Sequence, residues 1–294
     1  MLAIVGTVPR DDFPLVQGAA VLNGDGSTLT VDGRAVEINR GTPALLAAAA
    51  VTAKALGREA PHAFLVGDTG LGHGSRDLYA HLCKDLPGRS FAVLAFHYLQ
   101  PDVDWHNKVL FAARDMRPAP LLVADAGFMY AAKMSGLANE YDLFTPDMGE
   151  LAFLADETAP HPFYARGFLL NEDNQGPDLI DRAHAHRNTA RHTLVKGATD
   201  LVVRGKEILD TVDGPAEEAM EAMGGTGDSL TGMAAALTEA GWDIPAACLA
   251  AARANRLAGA MARPTPASQI MSLIAHIPEA LEQVLEAMDN AVNQ

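Results

Sequence analysis

Gly224-Gly225-Thr226-Gly227-Asp228 carries more chemistry than any other stretch of this 294-residue chain. Gly224, Gly225 and Gly227 let the backbone turn tightly and bring its N–H groups close to a ligand. An apolar run at helical spacing, Leu230, Met233, Ala234 and Leu237, starts at once. A helix therefore begins where the glycines end, and Gly241 can close it. Its unpaired N–H groups and the positive end of its dipole make an anion site. A carboxylate at such a helix start is stabilised in its charged form, so Asp228 can serve as an ionised base beside a bound phosphate. N–H groups for phosphoryl charge, from Gly224, Gly225, Thr226 and Gly227, and one carboxylate for a hydroxyl proton are what a small-molecule kinase needs. The plainer alternative is a helix cap on a loop that binds no phosphate. No Gly-Lys-Ser/Thr follows the glycines, so this is not a Walker loop.

The elements that must position this loop read as alternating strands and helices. Ala63–Val66, Phe91–Phe96, Leu121–Ala124, Tyr141–Phe144 and Thr193–Lys196 are short apolar runs of the kind that form strands buried on both faces. Helical segments lie between them. The order predicts an α/β fold with a central, mainly parallel sheet and helices on both faces. Leu201–Val203 is expected to fold back on the last of these strands as a hairpin through Gly205. Thr28–Val31 and Arg34–Ile38 flank Asp32-Gly33, a hairpin signal, and this hairpin is expected at the edge of the sheet. Thr42 is expected to cap a helix with Pro43 at its first position, running to about Leu56. With no repeat, low-complexity tract or linker, residues 1–294 read as one domain.

Ligands of open α/β sheets bind outside the carboxyl ends of the strands. Gly67, Asp68 and Gly70 follow one strand, and Asp125 follows another. Thr145 and Asp147 follow a third, and Lys196 and Gly197 a fourth. Asp228 opens its helix on the same edge, so these residues are expected to converge. Singly, each has an ordinary alternative: a turn cap for Asp68 or Asp125, a helix cap for Thr145, a snorkelling amine for Lys196. Glu150, one turn into the helix begun by Thr145, is a candidate Mg²⁺ ligand or a solvated side chain.

Other candidates are weaker. Asp102, Asp104 and His106 alternate, and an extended segment would put them on one face as metal ligands. His184, His186 and His192 lie in a polar, helix-like stretch, and the first two would not share a face. The irregular segment 158–178 reads as a flap or an extended connection. No Gly-x-Ser-x-Gly elbow is present. The formal charge is −15 and the pI about 5.0, which argues against nucleic acid and anionic membranes as partners. An anionic substrate must then be drawn in by local groups or Mg²⁺. Cys83 and Cys248 sit in apolar surroundings as unpaired thiols, which suits a cytoplasmic protein. The N-terminus lacks a basic region and a signal-length apolar run.

Together these motifs resemble the ribokinase-like superfamily, and within it the NAD(P)H-hydrate dehydratase family, a carbohydrate-kinase-like branch. That family's loop reads Gly-Gly-Thr-Gly-Asp-x-Leu-(Thr/Ser/Ala)-Gly, and Gly224 to Gly232 follow it in order. Thr145-Pro146-Asp147-Met148-Gly149-Glu150 is similar to its Thr-Pro-His-Pro-Gly-Glu. Leu194-Val195-Lys196-Gly197-Ala198 is similar to its Leu-Lys-Gly-Ala, and Val123-Ala124-Asp125-Ala126 to its Leu-Asp-Ala-Asp. Asn255 lies in a segment that looks like the helix lining the adenine site. The departures include Asp147 and Met148 in the second motif, Gly67-Asp68-Thr69-Gly70-Leu71-Gly72 in place of the family's Gly-Pro-Gly-Leu-Gly, and a stretch before the loop, Ala219–Met223, without the family's Asn-Pro. The resemblance implies ATP or ADP and Mg²⁺ as cofactors. It assigns Asp228 as base, and Lys196, Gly197 and Asn255 to the nucleotide. The second substrate is a hydroxylated small molecule, an NAD(P)H hydrate in the dehydratase reading. A kinase of a sugar or thiamin-precursor alcohol and a non-catalytic nucleotide sensor are the alternatives. Self-association is expected, as in related folds.

Overall fold

The computed structural model describes residues 1–24, 26–157 and 176–292. The N-terminal third contributes β1 (Leu2–Val8), β2 (Val16–Ala19), β3 (Val21–Leu22), β4 (Thr28–Val31), β5 (Arg34–Glu37), α1 (Thr42–Ala55), β6 (His62–Gly67) and α2 (His73–Asp85). Then follow β7 (Val93–His97), α3 (Val103–Arg114), β8 (Leu121–Ala124), α4 (Ala126–Met134), β9 (Leu143–Phe144), α5 (Met148–Ala155) and α6 (Gly176–Ala185). The C-terminal part holds β10 (His192–Val195), β11 (Asp200–Arg204), β12 (Glu207–Val212), α7 (Ala219–Ala222), α8 (Thr226–Glu239), α9 (Ile244–Ala262), α10 (Ile270–Ile274) and α11 (Ile277–Val292). The expected flap 158–178 lies outside the described residues except for its last three, which begin α6.

The main sheet runs β12-β11-β10-β9-β8-β7-β1-β6-β2. From β10 to β6 every pairing is parallel, and the outer strands β2, β11 and β12 run antiparallel. The fold class read from the sequence is the one observed. Ile4 of β1 faces a core shared with α1, α8, α9, α10 and α11, whereas Val5 faces one shared with α2 to α6. Helices thus cover both faces, and the apolar strands are buried on both.

Some local expectations are corrected. β1 is an interior strand between β7 and β6, third from the β2 edge of the main sheet. The Asp32-Gly33 hairpin forms, with φ of 48° and 72° at the turn, as β4 and β5. It belongs to a separate three-stranded sheet, β3-β4-β5, and β2 is the edge strand of the main one. Asp102 caps α3 by accepting the Trp105 N–H, and His106 is buried on that helix against the Tyr141 hydroxyl, 2.8 Å away. The three alternating residues therefore share no extended face. His192 lies in β10, not in the preceding helix. Cys83 and Cys248 are free thiols, and Cys248 is buried.

α8 lies so close to α1 that a Cβ on Gly232 would overlap the Leu45 carbonyl oxygen. The turn from β6 into α2 is built on the buried Asp68 carboxylate. It accepts the Gly70 and Gly72 N–H groups at 2.9 and 3.0 Å, and the Ser75 N–H and hydroxyl at 2.8 and 2.7 Å. Burial pushes the Asp68 carboxyl up, but the bonds from Ser75, Gly72 and Gly70 outweigh it and hold it below its ordinary value. Its contribution to stability is therefore complete above about pH 4 and is lost as the pH falls through its lower folded value. Asp68→Ala leaves these donors without an acceptor and is expected to cost about 3 kcal/mol. Denaturant unfolding at neutral pH checks this; an unchanged midpoint would remove Asp68 as the organiser of the turn.

Candidate active site

A cleft of about 620 Å³ opens at the carboxyl ends of β7 to β10, against the start of α8. Gly225 caps α8 in the left-handed region, φ 105°, with no side chain capping the helix. The backbone N–H groups of the first turn are thus left toward the cleft, where an anion would satisfy them. The side chain of Arg40 crosses the loop with its stem about 3.4 Å from where a Gly224 Cβ would stand.

Asp228 is the third residue of α8, and its side chain is 13% exposed. Its Oδ2 accepts the Gly41 N–H at 2.6 Å, and its Oδ1 lies 3.0 Å from His97 Nε2. His97 ends β7, and its Nδ1 lies 3.0 Å from the Thr42 hydroxyl. The ionised Asp228 carboxylate can only accept, so His97 Nε2 carries a hydrogen and donates it, while the Thr42 hydroxyl can donate to Nδ1 or accept from it. Gly41, with φ 69°, is the cap of α1, so Thr42 is its first residue and not the cap expected from the sequence. The reason is that its hydroxyl is turned to His97. Two helix N-termini, those of α1 and α8, therefore converge on one carboxylate. Burial pushes the Asp228 carboxyl up, but the bond and charge of His97, the charge of Lys196 and the Gly41 N–H outweigh it and hold it below its ordinary value.

Lys196, just past β10, places Nζ 3.1 and 2.8 Å from the two oxygens of Asp125, just past β8. Burial pulls the amine down, but Asp125 and Glu150, with Asp228 beyond, raise it above its ordinary value, so Lys196 is a fixed cation. Its stem runs along α8, within 3.6 Å of where a Gly227 side chain would begin. Asp125 also accepts the Thr231 hydroxyl at 2.8 Å, and Thr231 in turn lies 2.9 Å from the Thr145 hydroxyl. Donor atoms of His97, Asp125 and Asp228 lie within 4.8 Å of one another. The cation beside them is already Lys196, and His97 is engaged between Asp228 and Thr42.

Gly197 donates its N–H to Asp200 at 3.1 Å, while its carbonyl and that of Ala198 accept from Arg256 of α9. Arg256 also bonds Asp200 at 2.8 Å, so this pair clamps the Lys196 turn to α9. Asn255 accepts the Ser229 hydroxyl at 2.7 Å and donates to the Thr226 carbonyl at 3.2 Å, which fixes the first turn of α8.

Glu150 lines the same cleft. It forms a reciprocal capping box with Asp147, which is the cap of α5; Thr145 is buried before the helix begins and does not cap it. Glu150 also accepts the Tyr130 hydroxyl at 2.7 Å. Burial and the charges of Asp125 and Asp147 push its carboxyl up to about 8 against the opposing pull of Lys196. A cation would relieve the crowding of Glu150 by Asp125 and Asp147, and these hard oxygen donors fit Mg²⁺, held through water because both Glu150 oxygens already accept bonds.

The structure brings together Asp228, Gly225, Thr226, Gly227, Lys196, Gly197, Asn255, Asp125 and Glu150 around the cleft. Gly224 adjoins it in the same loop, and Thr145 reaches Asp125 only through Thr231. Gly67, Asp68 and Gly70 do not line it; they build the turn after β6. Sequence reasoning missed His97, Thr42, Thr231, Asp200 and Arg256. His97 carried the same signal as Asp125: it ends an apolar strand at the edge where ligands bind.

Residues 101–279 match the NAD(P)H-hydrate dehydratase family. An uncharacterized protein of Methanocaldococcus jannaschii is 38% identical over 221 residues, which cover 75% of this chain and 90% of the relative. The bifunctional NAD(P)H-hydrate repair enzyme Nnr of Hyperthermus butylicus is 39% identical over 117 residues, 37% of this chain but only 21% of that enzyme. Among solved structures, a ribokinase-like superfamily protein from Enterococcus faecalis aligns with a TM-score of 0.57 at 13% identity, covering 96% of this chain and 87% of that one. A mutant phosphofructokinase-2 from Escherichia coli aligns at 0.56 and 14% identity, covering 96% and 99%. These likenesses show a ribokinase-like fold. With more than half of its length matched, the chain belongs to the NAD(P)H-hydrate dehydratase family of carbohydrate-kinase-like proteins.

Proposed function

We propose that this protein is a nucleotide-dependent NAD(P)H-hydrate dehydratase, using ATP or ADP, and that Asp228 is its base. The observation that carries the reading is Asp228 itself. It is a carboxylate held ionised at a helix start that no side chain caps, in a family whose activity needs a hydroxyl activated beside a phosphate. Asp228 takes the proton of the hydrate's hydroxyl, and His97 and Gly41 hold the carboxylate in place as it does so. The N–H groups from Gly225 to Asp228 receive the charge that grows on the transferred phosphoryl group. Lys196, paired with Asp125, stands beside Gly227 at the edge of the same site. The nucleotide supplies a phosphoryl group that turns the hydroxyl into a leaving group. Loss of that phosphate, with a proton from the neighbouring carbon, restores the ring double bond. Glu150, with Asp147, would hold Mg²⁺ through water, and the ion would neutralise phosphate charge.

No helix among the described residues is long and apolar enough to cross a membrane. A cytoplasmic, self-associating enzyme remains part of the proposal.

The direct test is recovery of NADH absorbance from hydrated NADH with ATP, with ADP and with neither. Recovery should depend on one nucleotide, and Asp228→Asn should lower it by about 10³-fold while nucleotide affinity holds. No recovery by wild-type protein that binds ATP would remove the dehydratase reading, and turnover of an ATP–alcohol panel would then favour the kinase. A second expectation concerns His97. His97→Asn removes the bond and the charge that hold the Asp228 carboxyl down. The acid limb of the kcat/KM profile should therefore move to higher pH, with a smaller loss at the plateau than for Asp228→Asn. A limb left where it was would separate His97 from the base.

A further inference from the structure

Tyr98 follows His97 at the end of β7 and lines the cleft, yet half of it is open to solvent (52%). Its φ is +48°, in the left-handed region that bulky residues rarely adopt. The Thr7 hydroxyl donates to its carbonyl at 2.7 Å and holds the backbone there. The ring stands edge-on to the His97 imidazole, 4.3 Å between centroids at 75°. It also passes Gly41 so closely that a Cβ there would lie 3.4 Å from Cδ2. His97 and Gly41 are the two groups that hold Asp228. The chain thus keeps an exposed aromatic ring beside the base, on strained backbone, without burying it. Strain of this kind persists where the surroundings impose it, and it clusters at ligand sites.

We infer that Tyr98 is the platform for the second substrate: a ring-bearing hydroxyl compound lies on the open side of the Tyr98 ring with its hydroxyl toward Asp228. The inference rests on the proposed base role of Asp228 and adds the residue that selects the substrate. A ring offers a flat face that stacks on Tyr98, and stacking would fix the distance from the ring hydroxyl to Oδ1 or Oδ2. An acyclic alcohol gains neither.

The experiment compares wild type with Tyr98→Phe, Tyr98→Ala and Tyr98→Gly. It measures KM and kcat for hydrated NADH, ATP affinity by calorimetry and the thermal midpoint. Tyr98→Phe should stay within about twofold in KM. Tyr98→Ala should raise KM roughly tenfold, with kcat far less changed and ATP affinity unchanged. Tyr98→Gly should raise KM likewise while its midpoint stays at or above that of wild type, because glycine accepts the left-handed backbone. A purely structural tyrosine would lower the midpoint instead. Wild-type KM in Tyr98→Ala overturns the platform, as does a loss of ATP affinity in step with KM, which would give the ring to the nucleotide. If the wild-type protein leaves hydrated NADH untouched, the dehydratase reading fails on its own. The platform is then read by ligand-observed NMR with pyridoxal and glycerol as probes. Binding of pyridoxal alone, lost in Tyr98→Ala, upholds it; no pyridoxal binding, or equal binding by the variant, overturns it.

Discussion

The arrangement around Asp228 depends on one hydrogen-bonded group: its carboxylate between the Gly41 N–H and His97. These contacts join residues 187 and 131 positions apart in the chain. They bring the start of α8, the start of α1 and the end of β7 to a single point. A nearly buried carboxylate costs several kcal/mol if left unpaired, so the three elements must meet within tenths of an ångström. The packing behind them serves that need. Gly232 lets α8 lie on the backbone of α1, and a side chain at Gly6 of β1 would collide with Thr42 and with the His97 carbonyl. The bare positions on α8 and β1 are what allow Thr42, His97 and Asp228 to form a line.

Electrostatics constrains the cleft in the opposite direction to a simple anion site. Asp125, Asp147, Glu150, Asp200, Glu217, Glu218, Glu221 and Asp228 line it, against Lys196 and Arg256. Lys196 is bound to Asp125 and Arg256 to Asp200. A phosphate entering here meets cations already neutralised by partners. In the proposed chemistry its attraction comes from the backbone dipoles of α8 and from a cation that arrives with the nucleotide. That division has a kinetic use. Fixed dipoles need no reorganisation as charge moves onto the phosphoryl oxygens, whereas an unpaired lysine beside Asp228 would hold the carboxylate down further and weaken it as a base.

Much of the fold was legible because its signals are local. The apolar runs at β6, β7, β8 and β10 read directly as buried strands, and Asp32-Gly33 read as a turn. The glycine loop was legible for the same reason: its function lies in the backbone, and glycine marks backbone freedom within a few residues. What sequence could not supply was long-range pairing. Thr42 looked like a helix cap until His97 claimed its hydroxyl, and Thr145 looked like one until Asp147 and Glu150 closed their own box. Asp68 had the right position at a strand end, but its four donors lie within seven residues of it, and they use up the carboxylate.

This asymmetry between backbone and side chains bears on how the site works. The half of the cleft proposed for phosphate is made of N–H groups from Gly225 to Asp228, and many sequences can supply these provided the glycines remain. The half beside Tyr98 and His97 is made of side chains from strand ends that are remote in sequence. Each such side chain adds a contact that a neighbouring family need not share. A phosphate binder of this design keeps its loop and its charge logic while the opposite wall is free to change shape. In the proposed chemistry the second substrate is thus set where the sequence signal is weakest. In that reading the end of β7, where Tyr98 on left-handed backbone touches both supports of the Asp228 carboxylate, is where this chain's own specificity would be set.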